Sequence, residues 1–185
     1  MKFSVYLYSA ILALFLMSCT SLSLPKSQPT TPQSIDGLSS LRSLAEVDLS
    51  QAVMSQTIYV PTYSYIYYEN DQRSINLTTT LSIRNTDLTH PIIITSVRYY
   101  NTKGELISQY LAQPAQLDPL ASVAFVIDRT NITAGLGASF IVEWMAKNVV
   151  TEPIVEAVMI GTDFSQGISF VSPGKVIKSY QKPSP

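Results

Sequence analysis

Alternating apolar and polar residues mark most of the chain from residue 57 onward as β-strand. In the stretch INLTTTLSIRNT, apolar residues and threonine fall on one face of an extended chain, and polar residues fall on the other. This period of two is typical of a strand with one buried face. The residues that the pattern places inward in the three clearest strands are Ile75, Leu77, Thr79, Leu81, Ile83, Val123, Phe125, Ile127, Phe140, Val142 and Trp144.

The other strand signals extend this pattern over residues 57–178. TIYVPTYSYIYY is β-branched and aromatic, and Pro61 within it predicts an edge strand or two short pieces. IIITSVRYY, ELISQYLA, IVEAVMIG and a last short strand in GISFVSPGKVI complete the set. About seven strands without a convincing helix predict an all-β fold, namely an immunoglobulin-like antiparallel β-sandwich.

The N-terminal part has a different composition. Residues 1–18 contain an apolar run of about 15 residues, which is shorter than the roughly 20 of a membrane span and typical of a signal peptide. Residues 19–56 are predicted to form a flexible Ser/Thr/Pro/Gln-rich tether. Leu38, Leu41 and Leu44 within it indicate a short helix, the alternative being a disordered segment. A disordered tail is expected over residues 179–185.

Cys19 is the single cysteine, and it follows the apolar run in the sequence LMSC. This motif resembles the bacterial lipobox, and the resemblance implies a lipid on the sulfur and cleavage just before Cys19. The alternatives are an ordinary secretory signal and an uncleaved anchor. We expect a protein anchored to a membrane of the bacterial cell envelope, with its folded domain outside the cytoplasm. The sequence leaves open whether that is the inner or the outer membrane.

Charge and histidine content narrow the classes of function. The chain carries 12 Lys and Arg against 13 Asp and Glu, a balance that argues against a nucleic acid partner. His90 is the single histidine and precedes Pro91 in a turn, so it is expected in solvent and not in a catalytic pair. The glycines of AGLGAS lack the spacing of a phosphate-binding loop. No enzyme activity, metal or cofactor is expected.

Paired carboxylates are the chemistry that a hydrolase of glycosides would need. The candidates are Glu143, Glu156, Asp128 and Asp163. Glu143 and Glu156 are predicted to lie opposite the apolar faces of neighbouring strands, where Arg84 or Arg98 would relieve their charge. We interpret them as exposed surface charges.

A run of tyrosines is the candidate binding face. The residues that share one parity of the extended chain are Tyr59, Tyr63, Tyr65 and Tyr67. Rings on one face of an edge strand can stack on sugars or contact a protein partner. The alternative is that these rings only cover the edge of the sandwich.

Several longer blocks resemble a known family. IYVPTYSYIYY, LSIRNTD, HPIIITSVRYYNTKG, LDPLAS, GASFIVEWMA, VEAVMIGT and GISFVSPGKVI together are similar to an uncharacterised bacterial family that is common in cyanobacterial lipoproteins and carries a domain of unknown function. The likeness covers about residues 57–178. It implies an address in the cell envelope and a globular domain, without a reaction or a ligand.

The sequence therefore predicts a lipid-anchored envelope protein whose sandwich domain binds an envelope protein or a glycan. The first alternative is a structural or assembly subunit of a membrane complex. The second is a carboxylate-dependent hydrolase.

Overall fold

The computed structural model describes residues 38–163 and 166–183, and most of them lie in β-strands. Two 3-10 helices occur in this part of the chain, at Leu38–Ser40 and Leu49–Gln51. The strands are β1 (Leu41–Ser43), β2 (Met54–Thr62), β3 (Tyr65–Tyr68), β4 (Asn70–Asn76), β5 (Thr78–Arg84), β6 (Ile92–Tyr100), β7 (Leu106–Gln109), β8 (Ala115–Leu117), β9 (Ser122–Ile127), β10 (Ala138–Ala146), β11 (Ile154–Asp163), β12 (Gln166–Pro173) and β13 (Lys175–Gln181).

The strands form two packed sheets and one separate ribbon, and all pairs are antiparallel. A seven-stranded sheet has the order β1-β8-β6-β10-β2-β13, with β7 also paired to β6. A four-stranded sheet has the order β12-β11-β5-β9, and β3 pairs with β4 alone. The predicted all-β antiparallel sandwich is confirmed.

The central strands share the immunoglobulin arrangement, and the flanking strands depart from it. In an immunoglobulin sandwich strand B pairs with E in one sheet, and C pairs with F in the other. The pairs β5–β9 and β6–β10 correspond to these two. However, β2 lies beside β10 and β11 lies beside β5, so the strands that would be A and G have exchanged sheets.

The predicted inward faces are confirmed. Of the eleven residues that the period of two placed inside, ten are at most 3% exposed and Ile75 is half-buried. The two sheets meet at aromatic contacts, because the ring of Tyr110 lies 5.5 Å from that of Phe125 and 5.6 Å from that of Phe140. Removal of this apolar surface from water is the main stabilising contribution to the sandwich.

Pro61 is tolerated because of where β2 lies. β2 is a central strand from Met54 to Tyr59, where it pairs with both β10 and β13. Its pairing with β13 ends at Tyr59, so Pro61 lies in a part of β2 that has only β10 as a neighbour. The predicted edge strand is therefore correct only for the last residues of β2. The alternative of two pieces is correct in that the stretch divides into β2 and β3, although the break follows Thr62 and not Pro61.

The predicted tether over residues 19–56 is wrong for its second half, since residues 38–56 belong to the fold. The predicted short helix is reduced to the 3-10 turn at Leu38–Ser40. From Leu41 onward the chain is a strand: Leu41 pairs with Leu117 and Ser43 with Ala115, which makes β1 the edge strand beside β8. Leu41 packs against the core. A strand edge that offers backbone hydrogen bonds and an apolar contact outweighs the helical spacing of three leucines. Residues 19–37 lie outside the described residues.

Residues 44–53, here called the strap, cross the seven-stranded sheet. They connect β1 at one edge to β2 near the other edge, over the outer face, which is the face turned away from the four-stranded sheet. Ile93 and Met145 alternate with core residues and so point to this outer face, yet they are only 6% and 1% exposed. Val47 of the strap lines two surface grooves, one next to Met145 and one next to Ile93. The strap thus covers part of the outer face.

The C-terminal prediction of one short strand and a tail over residues 179–185 is corrected to two strands, of which β13 extends to Gln181. Gly174 joins them where the chain passes from one sheet to the other. A Cβ at this position would lie 2.6 Å from Ile58 Cγ2 and 2.7 Å from the carbonyl oxygen of Val155. Only glycine therefore fits this crossing without a shift of its neighbours.

Candidate ligand-binding groove

A groove of about 490 Å³ lies on the outer face of the seven-stranded sheet, between the strap and β13. Pockets for small ligands typically measure about 300–1,000 Å³. One wall is apolar and consists of Val47, Leu49 and Ala52 of the strap. The opposite wall consists of Lys178 and Tyr180 of β13 with the neighbouring Ser179. The groove therefore offers an apolar side and a polar side to one occupant.

The floor comes from neighbouring strands in register. Lys178 of β13 lies opposite Thr57 of β2, and Thr57 lies opposite Glu143 of β10. Glu143 faces outward because Val142 and Trp144 on either side of it point into the core. With neighbouring strands about 4.8 Å apart, the backbones of Lys178 and Glu143 are roughly 10 Å apart. That width suits one extended chain or one sugar ring.

The charge of Glu143 is balanced within the sheet. Its Oε2 lies 3.1 Å from Nη2 of Arg98, and both side chains are about one-third exposed. The Nε of Arg98 is buried and has no hydrogen-bond partner among the described residues. The predicted relief of Glu143 by an arginine is confirmed, and the same holds for Glu156, whose Oε1 lies 3.9 Å from Nη2 of Arg84.

The structure separates the two glutamates that the sequence placed on neighbouring strands. Glu143 lies on the outer face of the seven-stranded sheet, whereas Glu156 of β11 lies on the outer face of the four-stranded sheet. The neighbouring-strand expectation was wrong because residues 147–153 carry the chain from one sheet to the other. Both sheets lie between the carboxylates, whereas glycoside hydrolysis needs a separation of roughly 5–9.5 Å.

The two aspartates of the carboxylate set are engaged in local contacts. Oδ1 of Asp163 accepts a hydrogen bond of 2.9 Å from Nη2 of Arg129. Oδ1 of Asp128 accepts hydrogen bonds from the hydroxyl and the backbone N–H of Thr130. These two bonds lower the pKa of Asp128, and the bond from the Thr130 hydroxyl has the larger effect. Hydrogen bonds from an aspartate to the residue two positions later, as in Asp128 and Thr130, are typical of a turn that is stabilised by its own side chain.

His90 lies beside a buried carboxylate and remains a turn residue. Its Nδ1 is 2.9 Å from Oγ1 of Thr89 and 3.5 Å from Oδ1 of Asp87. Both neighbours contact the same nitrogen, so no hydroxyl is aligned between Nε2 and a substrate as a nucleophile requires. Backbone N–H groups of Thr89, Thr151 and His90 hold the pKa of the Asp87 carboxyl well below its usual range. We interpret Asp87 as a structural anchor for this turn.

The four tyrosines of the candidate binding face are only partly brought together. Tyr65 and Tyr67 lie together on β3, with ring centroids 5.5 Å apart, and Tyr67 is 48% exposed. Tyr59 is on the outer face of β2, opposite Lys175. Tyr63 packs against the core, with its ring 5.9 Å from that of Phe170. A single face of four rings is therefore not formed, because the chain leaves β2 after Thr62.

Cys19, the predicted lipidation site, lies outside the described residues. Within residues 38–163 and 166–183, no group of three or more His, Cys, Asp or Glu side chains is placed to hold a metal ion. No helix in the described part of the chain is long and apolar enough to cross a membrane.

Residues 55–177 match the family described as "Protein of unknown function (DUF3124)". The chain belongs to this family. A search of curated proteins gives no match. Among solved structures, the chain is similar to the crystal structure of Thermotoga maritima 1070, with 11% sequence identity and a TM-score of 0.38, over 69% of this chain and 94% of that one.

The family match covers the floor of the groove and leaves out its walls. Thr57 and Glu143 lie within residues 55–177, as does the Arg98 that balances Glu143. The strap precedes the match, and Lys178 to Tyr180 follow it. In this DUF3124 protein the groove is thus assembled from a family sheet and from two segments outside the matched residues.

Sequence reasoning missed the groove, although one signal was present. Lys178, Tyr180 and Lys182 alternate with Ser179 and Gln181, which is the period of a strand with one polar and aromatic face. That pattern does not predict that the strand pairs with β2, which is far away in the sequence.

Proposed function

We propose that this DUF3124 protein is a lipid-anchored protein of the bacterial cell envelope whose sandwich domain binds an envelope protein or glycan in the groove between the strap and β13. The observation that carries the binding role is the groove itself, about 490 Å³ in volume and lined by apolar, hydroxyl and charged side chains. Such a mixture of an apolar wall and a few polar groups is typical of sites that bind and orient a ligand.

The anchor rests on the sequence alone. The apolar run before Cys19 and the motif LMSC support acylation of the Cys19 sulfur after export. One acyl chain holds a protein to a bilayer only marginally, whereas two or more hold it firmly. The folded domain would then work within reach of a membrane surface.

The anchor is tested by fractionation and by mass spectrometry of the mature N-terminus. We expect the protein to remain with membranes after a high-salt wash, and its first peptide to begin at Cys19 with a diacylglycerol on sulfur. Cys19→Ser should abolish both. A mature chain that begins elsewhere, or an unmodified Cys19, would contradict the proposed anchor.

The groove is tested by crosslinking in cells. A photoreactive residue at position 180, which is exposed and shares the outer face of the sheet with the groove floor, should capture a discrete partner. The matched control is position 169, an exposed serine on β12 in the other sheet. Equal capture at both positions, or at neither, would show that the groove is not the binding site.

A further inference from the structure

The outer face of β13, which forms one wall of the groove, carries a row of lysines: Lys178 lines the groove, and Lys175 and Lys182 lie beyond it at the two ends of the strand. Lys175 lies opposite Tyr59, Lys178 opposite Thr57 and Tyr180 opposite Ser55. Residues 55, 57 and 59 of β2 alternate with core residues, so they and their partners on β13 share the outer face of the sheet. Lys182, whose backbone N–H donates to the carbonyl oxygen of Val53, continues the same parity.

These cations are not neutralised by the described residues. None of the ion pairs within residues 38–163 and 166–183 involves Lys175, Lys178 or Lys182. Among the residues that line the groove, Glu143 is the single carboxylate, and Arg98 already balances it. The strap carries Glu46 and Asp48, so the positive charge is concentrated on the β13 side of the groove, although the whole chain has a formal charge of −1. A row of three lysines along one wall on a slightly acidic protein favours an anionic ligand on that side.

The order of side chains along β13 indicates a linear ligand. Side chains two residues apart on a strand are roughly 7 Å apart, so Lys178 and Lys182 are separated by about 14 Å with the ring of Tyr180 between them. Tyr180 is 50% exposed. An exposed ring between two cations matches a polymer in which apolar ring faces and anionic groups repeat along one chain.

The rest of the groove fits a sugar better than a flat surface. Hydroxyls of Ser55, Thr57 and Thr95 line the groove and can bond sugar hydroxyls, while the strap presents apolar groups to the C–H faces of a sugar ring. The strap stands above the floor, and a flat anionic bilayer could not reach past it to Thr57. A chain one sugar ring wide could.

We propose that the groove binds a linear acidic polysaccharide, with its carboxylates along Lys175, Lys178 and Lys182 and a sugar ring on Tyr180. This inference rests on the proposed function, because it specifies the ligand of the same groove. It predicts affinity that falls as salt rises, since exposed charges are screened.

The test uses the full chain purified in detergent micelles, with polygalacturonate and alginate as acidic polymers and dextran as a neutral one. Calorimetry should show binding of both acidic polymers and not of dextran. Changing Lys178→Gln and Lys182→Gln together should weaken binding about tenfold, which corresponds to about 1.4 kcal/mol. Tyr180→Ala should weaken it and Tyr180→Phe should not. Lys103→Gln, at an exposed turn between β6 and β7, is the matched control and should have no effect.

Three outcomes would overturn this inference: no binding of either acidic polymer, equal binding of dextran, or equal loss with the Lys103 control. Lysine-dependent binding to phosphatidylglycerol vesicles without binding to the polymers would also overturn it, in favour of a membrane surface. If position 180 captures a partner in cells while the polymers do not bind, the acidic polysaccharide is ruled out as the ligand and the proposed binding role stands.

Discussion

Replacement of Asn85 by alanine should test whether buried polar contacts hold one end of the sandwich together. Asn85 is 2% exposed and follows β5. The two N–H groups of its Nδ2 are shared among the carbonyl oxygens of His90, Leu117 and Asp118, which lie 2.9, 3.2 and 3.1 Å from Nδ2. Its Oδ1 accepts from the backbone N–H of Asp87 at 3.0 Å. One side chain thus connects the turn after β5 to the end of β8.

The expected loss follows from which partners water can reach. The carbonyls of His90 and Asp118 belong to residues with exposed surface, so water can replace the amide there. The carbonyl of Leu117 and the N–H of Asp87 belong to buried residues. Each buried polar group left without a partner costs roughly 1–3 kcal/mol. Two such groups give a loss of about 4 kcal/mol in the free energy of unfolding.

Urea denaturation of the purified protein measures this loss in the free energy of unfolding. In thermal unfolding, a decrease of about 4 kcal/mol should lower the melting temperature by roughly 8–16 °C for a chain of this size. The matched control is Asn131→Ala, because Asn131 is exposed and, among the described residues, its Oδ1 accepts from Thr133 alone, in its own turn. That variant should change stability by less than about 0.5 kcal/mol. A loss below about 1 kcal/mol for Asn85→Ala would refute the reasoning.

Three further predictions concern the turn carboxylate, the sheet crossing and a strained loop residue. The depressed pKa of Asp87 gives stability that is present above its ordinary value near 3.8 and lost as pH falls toward the folded-state value. Asp87→Asn should therefore lower the melting temperature at pH 7, and the melting temperature of the variant should fall less steeply than that of the wild type below pH 4. An equally steep fall in both proteins would contradict this. Gly174→Ala should destabilise by about 1–3 kcal/mol in urea, whereas Gly167→Ala, with no atom closer than 4.0 Å to its Cβ, should not. Leu120 is exposed at φ 57, so Leu120→Asn should raise stability by up to about 1 kcal/mol, and a decrease would count against strain there.

The tyrosine run shows where reasoning from period alone stops. Parity assigns Tyr59 and Tyr65 to one face only if the strand between them is continuous. The chain leaves β2 after Thr62, and β3 begins at Tyr65 in a separate ribbon. The turn between β2 and β3 changes the direction of every later side chain. Tyr65 and Tyr67 therefore stay neighbours, while Tyr59 and Tyr63 are separated from them.

The strap and β13 show the same limit for the candidate site. Val47, Thr57, Glu143 and Lys178 line one groove, yet they are spread over most of the described chain. No local pattern predicts that β13 pairs with β2, or that residues 44–53 cross the outer face of the sheet. The groove exists only because these pairings place distant segments side by side.

The sequence by itself determined which side of each strand is buried. Successive side chains of an extended chain point in opposite directions, and a run such as Leu77, Thr79, Leu81 and Ile83 therefore selects its own inner face wherever the strand is placed. The neighbours of each strand were decided by the tertiary structure alone. Any antiparallel strand can offer the same backbone hydrogen bonds, and only the packing of the complete core selects β10 and β13 as the partners of β2.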